Sequence, residues 1–262
     1  MGLEDSFSLI ERMNLDLLID NFATRSFRDT GDGDYIAARL AYRSQLIPQF
    51  LWSSLQAIEK YLKCVLVLNR ICAPKGHNLA EILEVFEKNK KFELRLTEAT
   101  RKFLSYLDTY GQYRYYETPY FTKGFELISL DRAVWEVRRY ARVMNYNLKN
   151  AEGNDNNMLQ HEITANESAE ILPPHRFVII GGRLESIMAK RDHPSREPLL
   201  WQNAFFGHRA RKSVTLPSQM EAGNSPLTLH PEILDEILKY VWLPKRVSDN
   251  YRYAASTAAL NE

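Results

Sequence analysis

The stretch Ile47-Pro48-Gln49-Phe50-Leu51-Trp52-Ser53-Ser54-Leu55-Gln56-Ala57-Ile58-Glu59-Lys60-Tyr61-Leu62-Lys63-Cys64-Val65-Leu66-Val67-Leu68-Asn69 decides the fold. Ile47, Leu51, Leu55, Ile58, Leu62, Val65 and Leu66 recur every three or four positions, so a long helix carries an unbroken apolar stripe. Pro48 is tolerated in the first turn, where its missing N–H has no intrahelical partner anyway. Glu59 and Lys63 stand four apart in the favourable order and read as a solvated pair on the far face. Such a stripe needs partners of its own kind. The pattern supplies helices over 35–44, 77–89, 94–110 and 130–148, the last with Leu130, Val134, Val137, Ala141 and Met144 inward. Short connections, such as Ala73-Pro74-Lys75-Gly76, make consecutive helices antiparallel neighbours. Upstream, 13–23 reads as a helix with Leu17, Leu18 and Phe22 on one face. Asp29-Thr30-Gly31-Asp32-Gly33-Asp34 then reads as a break, with Asp32 or Asp34 capping the next helix. Its alternating acids do not make an EF-hand, because Leu40 occupies the place of the bidentate glutamate.

Downstream, the Gly/Asn-rich stretch 150–160 reads as a linker. Beyond it, 174–190, 198–206 and 231–241 read as helices, with a short strand at 177–180 as the alternative for the first. The expected architecture is therefore all-α. An antiparallel helical bundle with an N-terminal helix covers 1–149, a linker covers 150–160, and a mostly helical C-terminal region of unassigned role covers 161–262.

Among 262 residues, 34 are Lys or Arg, 33 are Asp or Glu, and the formal net charge is +1. The total hides an asymmetry. Residues 1–34 carry a net −5, residues 35–149 a net +8 and residues 150–160 a net −2, while 161–262 balance. A basic core with six tyrosines between Tyr106 and Tyr120 suits an anionic ligand such as nucleotide or nucleic acid. The longest strictly apolar run, Cys64 to Leu68, is too short to span a bilayer, and the acidic start lacks a signal-peptide core, so a cytoplasmic protein without membrane contact is expected. Two cysteines fit neither a disulfide framework nor a zinc spacing. No P-loop, dinucleotide turn, G-x-S-x-G or His-Glu-x-x-His occurs, and the six histidines are scattered. No metal and no cofactor are expected.

Two constellations could carry chemistry. Arg70 and His77, with Pro74 and Gly76 placing a loop between them, combine a proton carrier with a cation for phosphorus oxygens, the minimum for metal-independent RNA cleavage. Alternatively, Arg70 tends a helix end and His77 the start of the next helix. Tyr110-Gly111-Gln112-Tyr113-Arg114-Tyr115-Tyr116, followed by Tyr120 and Phe121, could stack bases around Arg114, or plug the underside of a loop. Further on, Trp201-Gln202-Asn203 through His208-Arg209-Ala210-Arg211-Lys212 sets an aromatic face beside a basic cluster. That reads either as a phosphate contact or as a core helix followed by a charged loop.

Taken together, Asp34-Tyr35-Ile36-Ala37-Ala38-Arg39, Gln56-Ala57-Ile58-Glu59-Lys60-Tyr61-Leu62-Lys63, Gly76-His77-Asn78-Leu79, Tyr113-Arg114-Tyr115-Tyr116 and the helix from Asp131 to Arg142 resemble the HEPN domain over about residues 32–148. The resemblance implies an antiparallel bundle that forms a homodimer and binds RNA or nucleotide. It also implies one of two roles. The first is a metal-independent endoribonuclease of a toxin–antitoxin or phage-defence system, with a separately encoded antitoxin. The second is a non-catalytic binding or dimerising module. By the same likeness His77 would be the acid/base and Arg70 the phosphate stabiliser. Lys63, Tyr113, Arg114 and Tyr116 would be the ligand contacts.

Overall fold

A computed structural model describes residues 15–89, 93–111, 118–169, 174, 177–207, 213–215 and 220–259. A leading helix, 15–22, runs through a π-helical segment, Ala23–Arg28, straight into α1 (Asp29–Arg43). A tight turn with Gln45 at φ 59° reverses the chain into α2 (Ile47–Leu68), and these two helices form the heart of the bundle. Around them pack α3 (Leu79–Lys88), α4 (Glu98–Tyr110) and α5 (Glu126–Arg138). Side-chain caps start two of these: Asn78 accepts from Glu81 N–H and Thr97 from Thr100 N–H. The all-α expectation holds, because the strands form only two small two-stranded sheets among the described residues.

The acidic stretch 29–34 does not break the helix. Gly31 lies inside α1, where a Cβ would sit 3.2 Å from the Tyr61 ring and 3.3 Å from the Ala57 carbonyl. The glycine is there to let α1 approach α2 closely. Asp32 and Asp34 therefore do not cap α1. Asp32 is fully buried, and Asp34 pairs with Lys60 at 2.5 Å.

The helix expected over 130–148 ends at Arg138. Ala141 and Met144 are buried as the periodicity requires, but a turning chain delivers them. The linker stretch holds a hairpin of β2 (Asn147–Lys149) and β3 (Asp155–Asn157), and α6 (Leu159–Ser168) follows at once.

The helix expected over 174–190 is confined to α7 (Arg183–Ala189), because Gly181 takes φ +71° and interrupts it. Likewise 198–206 shrinks to α8 (Arg196–Leu200). The 231–241 segment becomes a 3₁₀ turn, Pro231–Ile233, and one short helix, Leu234–Ile237. Ile163, Leu184, Ile187 and Leu199 join the bundle's own core. Strand β1 (Tyr120–Thr122) pairs antiparallel with β4 (Glu221–Gly223), tying the bundle to a satellite core of Leu227, Leu234, Leu243, Val247 and Tyr251.

Two buried ion-pair networks lock this arrangement. Asp32 accepts from Nε and Nη2 of Arg138 (2.7 and 2.9 Å), the Tyr61 hydroxyl (2.7 Å) and Leu184 N–H (3.2 Å), and Arg138 also reaches Glu185 (2.8 Å). Burial, with Asp32 beside it, raises the Tyr61 pKa well above the usual tyrosine value, so the hydroxyl stays a donor. Asp131 accepts from Arg39 and from the Tyr35 hydroxyl (2.6 Å), while Arg39 donates to the carbonyls of Pro198 (3.0 Å) and Trp201. Each arginine thus bridges the bundle to the segment that follows it. Among the described residues, no helix is long and apolar enough to cross a membrane.

Candidate functional site

His77 lies in the short passage between α2 and α3, just after Gly76, whose φ of +109° a side chain would strain. The imidazole Nδ1 sits 2.9 Å from Oε2 and 3.1 Å from Oε1 of Glu59. Glu59 is held in turn by Lys63, whose ammonium donates to Oε1 at 2.7 Å and to the Gly76 carbonyl at 2.8 Å. The pair expected on the wet face is thus the inner wall of the site. Glu59 is only 6% exposed at its side chain, because the His77 loop folds back over it. His77 itself is 61% exposed. A carboxylate at Nδ1 fixes the ring's orientation, and Nδ1–H donating to it leaves Nε2 as a proton acceptor facing outward. That is the geometry of an oriented general base.

Arg70 sits elsewhere. α2 ends in a Schellman motif: Ile71 N–H donates to the Leu66 carbonyl (2.9 Å) and Arg70 N–H to that of Val67 (3.0 Å). Arg70 occupies the position usually given to glycine, at φ 56°, which costs roughly 1 kcal/mol in an L-residue. Its guanidinium reaches the carbonyls of Val67 and Leu68 and is clamped by Asp16 (2.9 Å) and Asp20 (2.7 Å) of the leading helix. Burial opposes its charge, but the hydrogen bonds to the two aspartates outweigh this and raise its pKa. The acidic lead segment therefore screens this cation. Arg70 and His77 share no hydrogen bond within one chain, and Glu59, which holds His77, stands eight to nine residues along α2 from the Val67 and Leu68 carbonyls that Arg70 reaches, roughly 13 Å of helix.

Of the expected ligand contacts, Lys63 is half-buried and serves Glu59 and Gly76. Tyr113, Arg114 and Tyr116 lie outside the described residues, as does the basic run His208 to Lys212. Glu59 was not singled out from the sequence as a site residue. The signal available was its place one helical turn before Lys63 in the glutamate–lysine motif, with a histidine in the following loop.

Among the described residues, no group of three His, Cys, Asp or Glu could hold a metal ion. Burial pushes the Cys64 thiol up to about 12, and Cys72 is exposed. A family model, that of the HEPN domain, matches residues 24–143. No curated protein and no solved structure gives a match.

Proposed function

We propose, from the match of residues 24–143 to the HEPN domain model, that the protein binds RNA or nucleotide and cleaves RNA without a metal, with His77 as the proton carrier. HEPN domains are associated with nucleotide- and RNA-related functions. The observation that carries the catalytic reading is the buried Glu59 carboxylate at His77 Nδ1. In this mechanism Nε2 takes the proton from a ribose 2′-hydroxyl, and that oxygen attacks the adjacent phosphorus. The 5′-oxygen of the next nucleotide departs and receives a proton, leaving a 2′,3′-cyclic phosphate and a free 5′-hydroxyl. The developing negative charge needs a cation. Arg70 supplies it by exchanging Asp16 and Asp20 for phosphate, which is cheap because such exposed pairs are worth only about 0–1 kcal/mol each. Two copies combine their sites into one cleft, and the activity belongs to a toxin–antitoxin or phage-defence setting with a separately encoded antitoxin.

A second reading, non-catalytic binding, is favoured by one observation: the clamp on Arg70 and its separation from His77. Incubation with RNA in EDTA separates the two. The catalytic reading expects cyclic-phosphate products from the wild type and none from His77→Ala. The binding reading expects gel-shifted, intact RNA from both.

A further inference from the structure

A groove of about 650 Å3, within the range of small-ligand sites, is lined by α4, β1 and the first half of α5. Phe103 and Tyr106 are stacked along its α4 wall with ring centroids 6.0 Å apart, and Tyr110 continues that wall 5.0 Å from Tyr106. Phe121 belongs to the groove from the β1 side and is tied to the wall, since the Tyr106 hydroxyl donates to its carbonyl at 2.9 Å. Burial, with Glu126 nearby, raises the Tyr106 pKa, so this hydroxyl keeps its proton.

The charge at the groove is one-sided. Lys102, Lys123 and Arg132 line it; Lys102 is shared with Glu98 in an exposed pair at 2.6 Å. The side chains of Lys123 and Arg132 make no hydrogen bond or ion pair among the described residues. Glu126 is the one acid among the described lining residues. It is buried, and its carboxylate accepts from the backbone N–H groups of Lys123 and Gly124 (2.5 and 2.9 Å), so its charge is spent on the chain. Aromatic faces beside uncommitted cations suit a ligand that has a flat ring system at one end and an anion at the other.

We propose that this groove binds a nucleotide unit, its base beside Tyr106, Tyr110 and Phe121 and its phosphate at Lys123 and Arg132. The inference rests on the nucleotide-binding reading above but not on His77. Asp108 accepts from Leu79 N–H, two residues beyond His77, and on α4 it points away from Tyr106 and Tyr110. The groove and the His77 site thus lie on opposite sides of α4.

Calorimetric titration of the full chain with adenosine 5′-monophosphate, adenosine and a four-residue oligoadenylate tests this. The monophosphate binds, adenosine binds at least about tenfold more weakly, and the double variant Lys123→Gln/Arg132→Gln loses at least about tenfold in monophosphate affinity with an unchanged thermal midpoint. His77→Ala binds like the wild type. Tighter binding of the oligoadenylate than of the monophosphate assigns the groove to an RNA strand, and equal or weaker binding assigns it to a free nucleotide. No heat from the monophosphate at millimolar concentration, equal affinity for adenosine, or an unaffected double variant overturns the proposal. RNA cleavage without monophosphate binding overturns the groove alone; monophosphate binding without cleavage overturns the catalytic role of His77 alone.

Discussion

Asp32→Asn probes the joint between the bundle and the chain that follows it. Asp32 is fully buried and receives two guanidinium nitrogens of Arg138, the Tyr61 hydroxyl and Leu184 N–H. The amide keeps the shape and one acceptor oxygen but turns an NH2 toward donors, and Arg138 is left with Glu185 alone. Removing one partner of a buried pair costs about 3–5 kcal/mol, and the surviving Glu185 contact puts this case at the lower end, about 3 kcal/mol. For a chain of this size that lowers the thermal midpoint by about 6–12 °C. Asp34→Asn, two residues away, is the control. Its pair with Lys60 is more than a quarter exposed on both sides, so its loss costs at most about 1 kcal/mol. Denaturant unfolding followed by circular dichroism measures both. A cost below about 1 kcal/mol for Asp32→Asn, or equal costs for the two variants, refutes the buried-network account and returns both aspartates to surface capping.

Three further outcomes follow from the same geometry. Burial alone would raise the Glu185 pKa, but Arg138 outweighs it and holds the carboxyl below its ordinary value of 4.5. Its stabilisation is therefore complete above about pH 4.5 and lost as pH falls through the folded value, so Glu185→Gln flattens the fall in stability on acidification below that point. Gly111→Ala places a methyl 2.7 Å from the Leu107 carbonyl and 3.0 Å from that of Leu51, costing about 1–3 kcal/mol in chemical denaturation; no measurable change would mean that α4 and α2 are less closely packed. Asp16→Asn/Asp20→Asn frees Arg70, shifts stability by no more than about 2 kcal/mol, and tightens RNA binding with a steeper salt dependence in filter-binding assays. Unchanged affinity would remove Arg70 from the phosphate path.

How much of this was legible depended on the range of the interactions. The α2 stripe was plain because seven apolar positions at helical spacing over more than five turns fit a long buried helix and no strand or loop. The Asp/Gly stretch misled for a local reason: its residues favour turns, and only the Tyr61 ring and Ala57 carbonyl, close against Gly31, reveal a mid-helix packing glycine. Ala141 and Met144 kept the helical period after the helix had ended, since burial alone sets that pattern. In the site, Arg70 and His77 were visible as residue types. Neither the Asp16–Asp20 clamp nor the burial of Glu59 was, because both arise when segments distant in sequence fold back on α2.

Single-turnover cleavage of RNA in EDTA with wild type, His77→Ala and Glu59→Gln measures whether Glu59 orients His77 for proton transfer. A histidine oriented in this way gives cyclic-phosphate products from the wild type, a loss of about 10²–10⁴-fold for His77→Ala, and a loss of about 10–100-fold for Glu59→Gln with RNA affinity retained. Equal cleavage by all three proteins, or none by the wild type, would contradict that role.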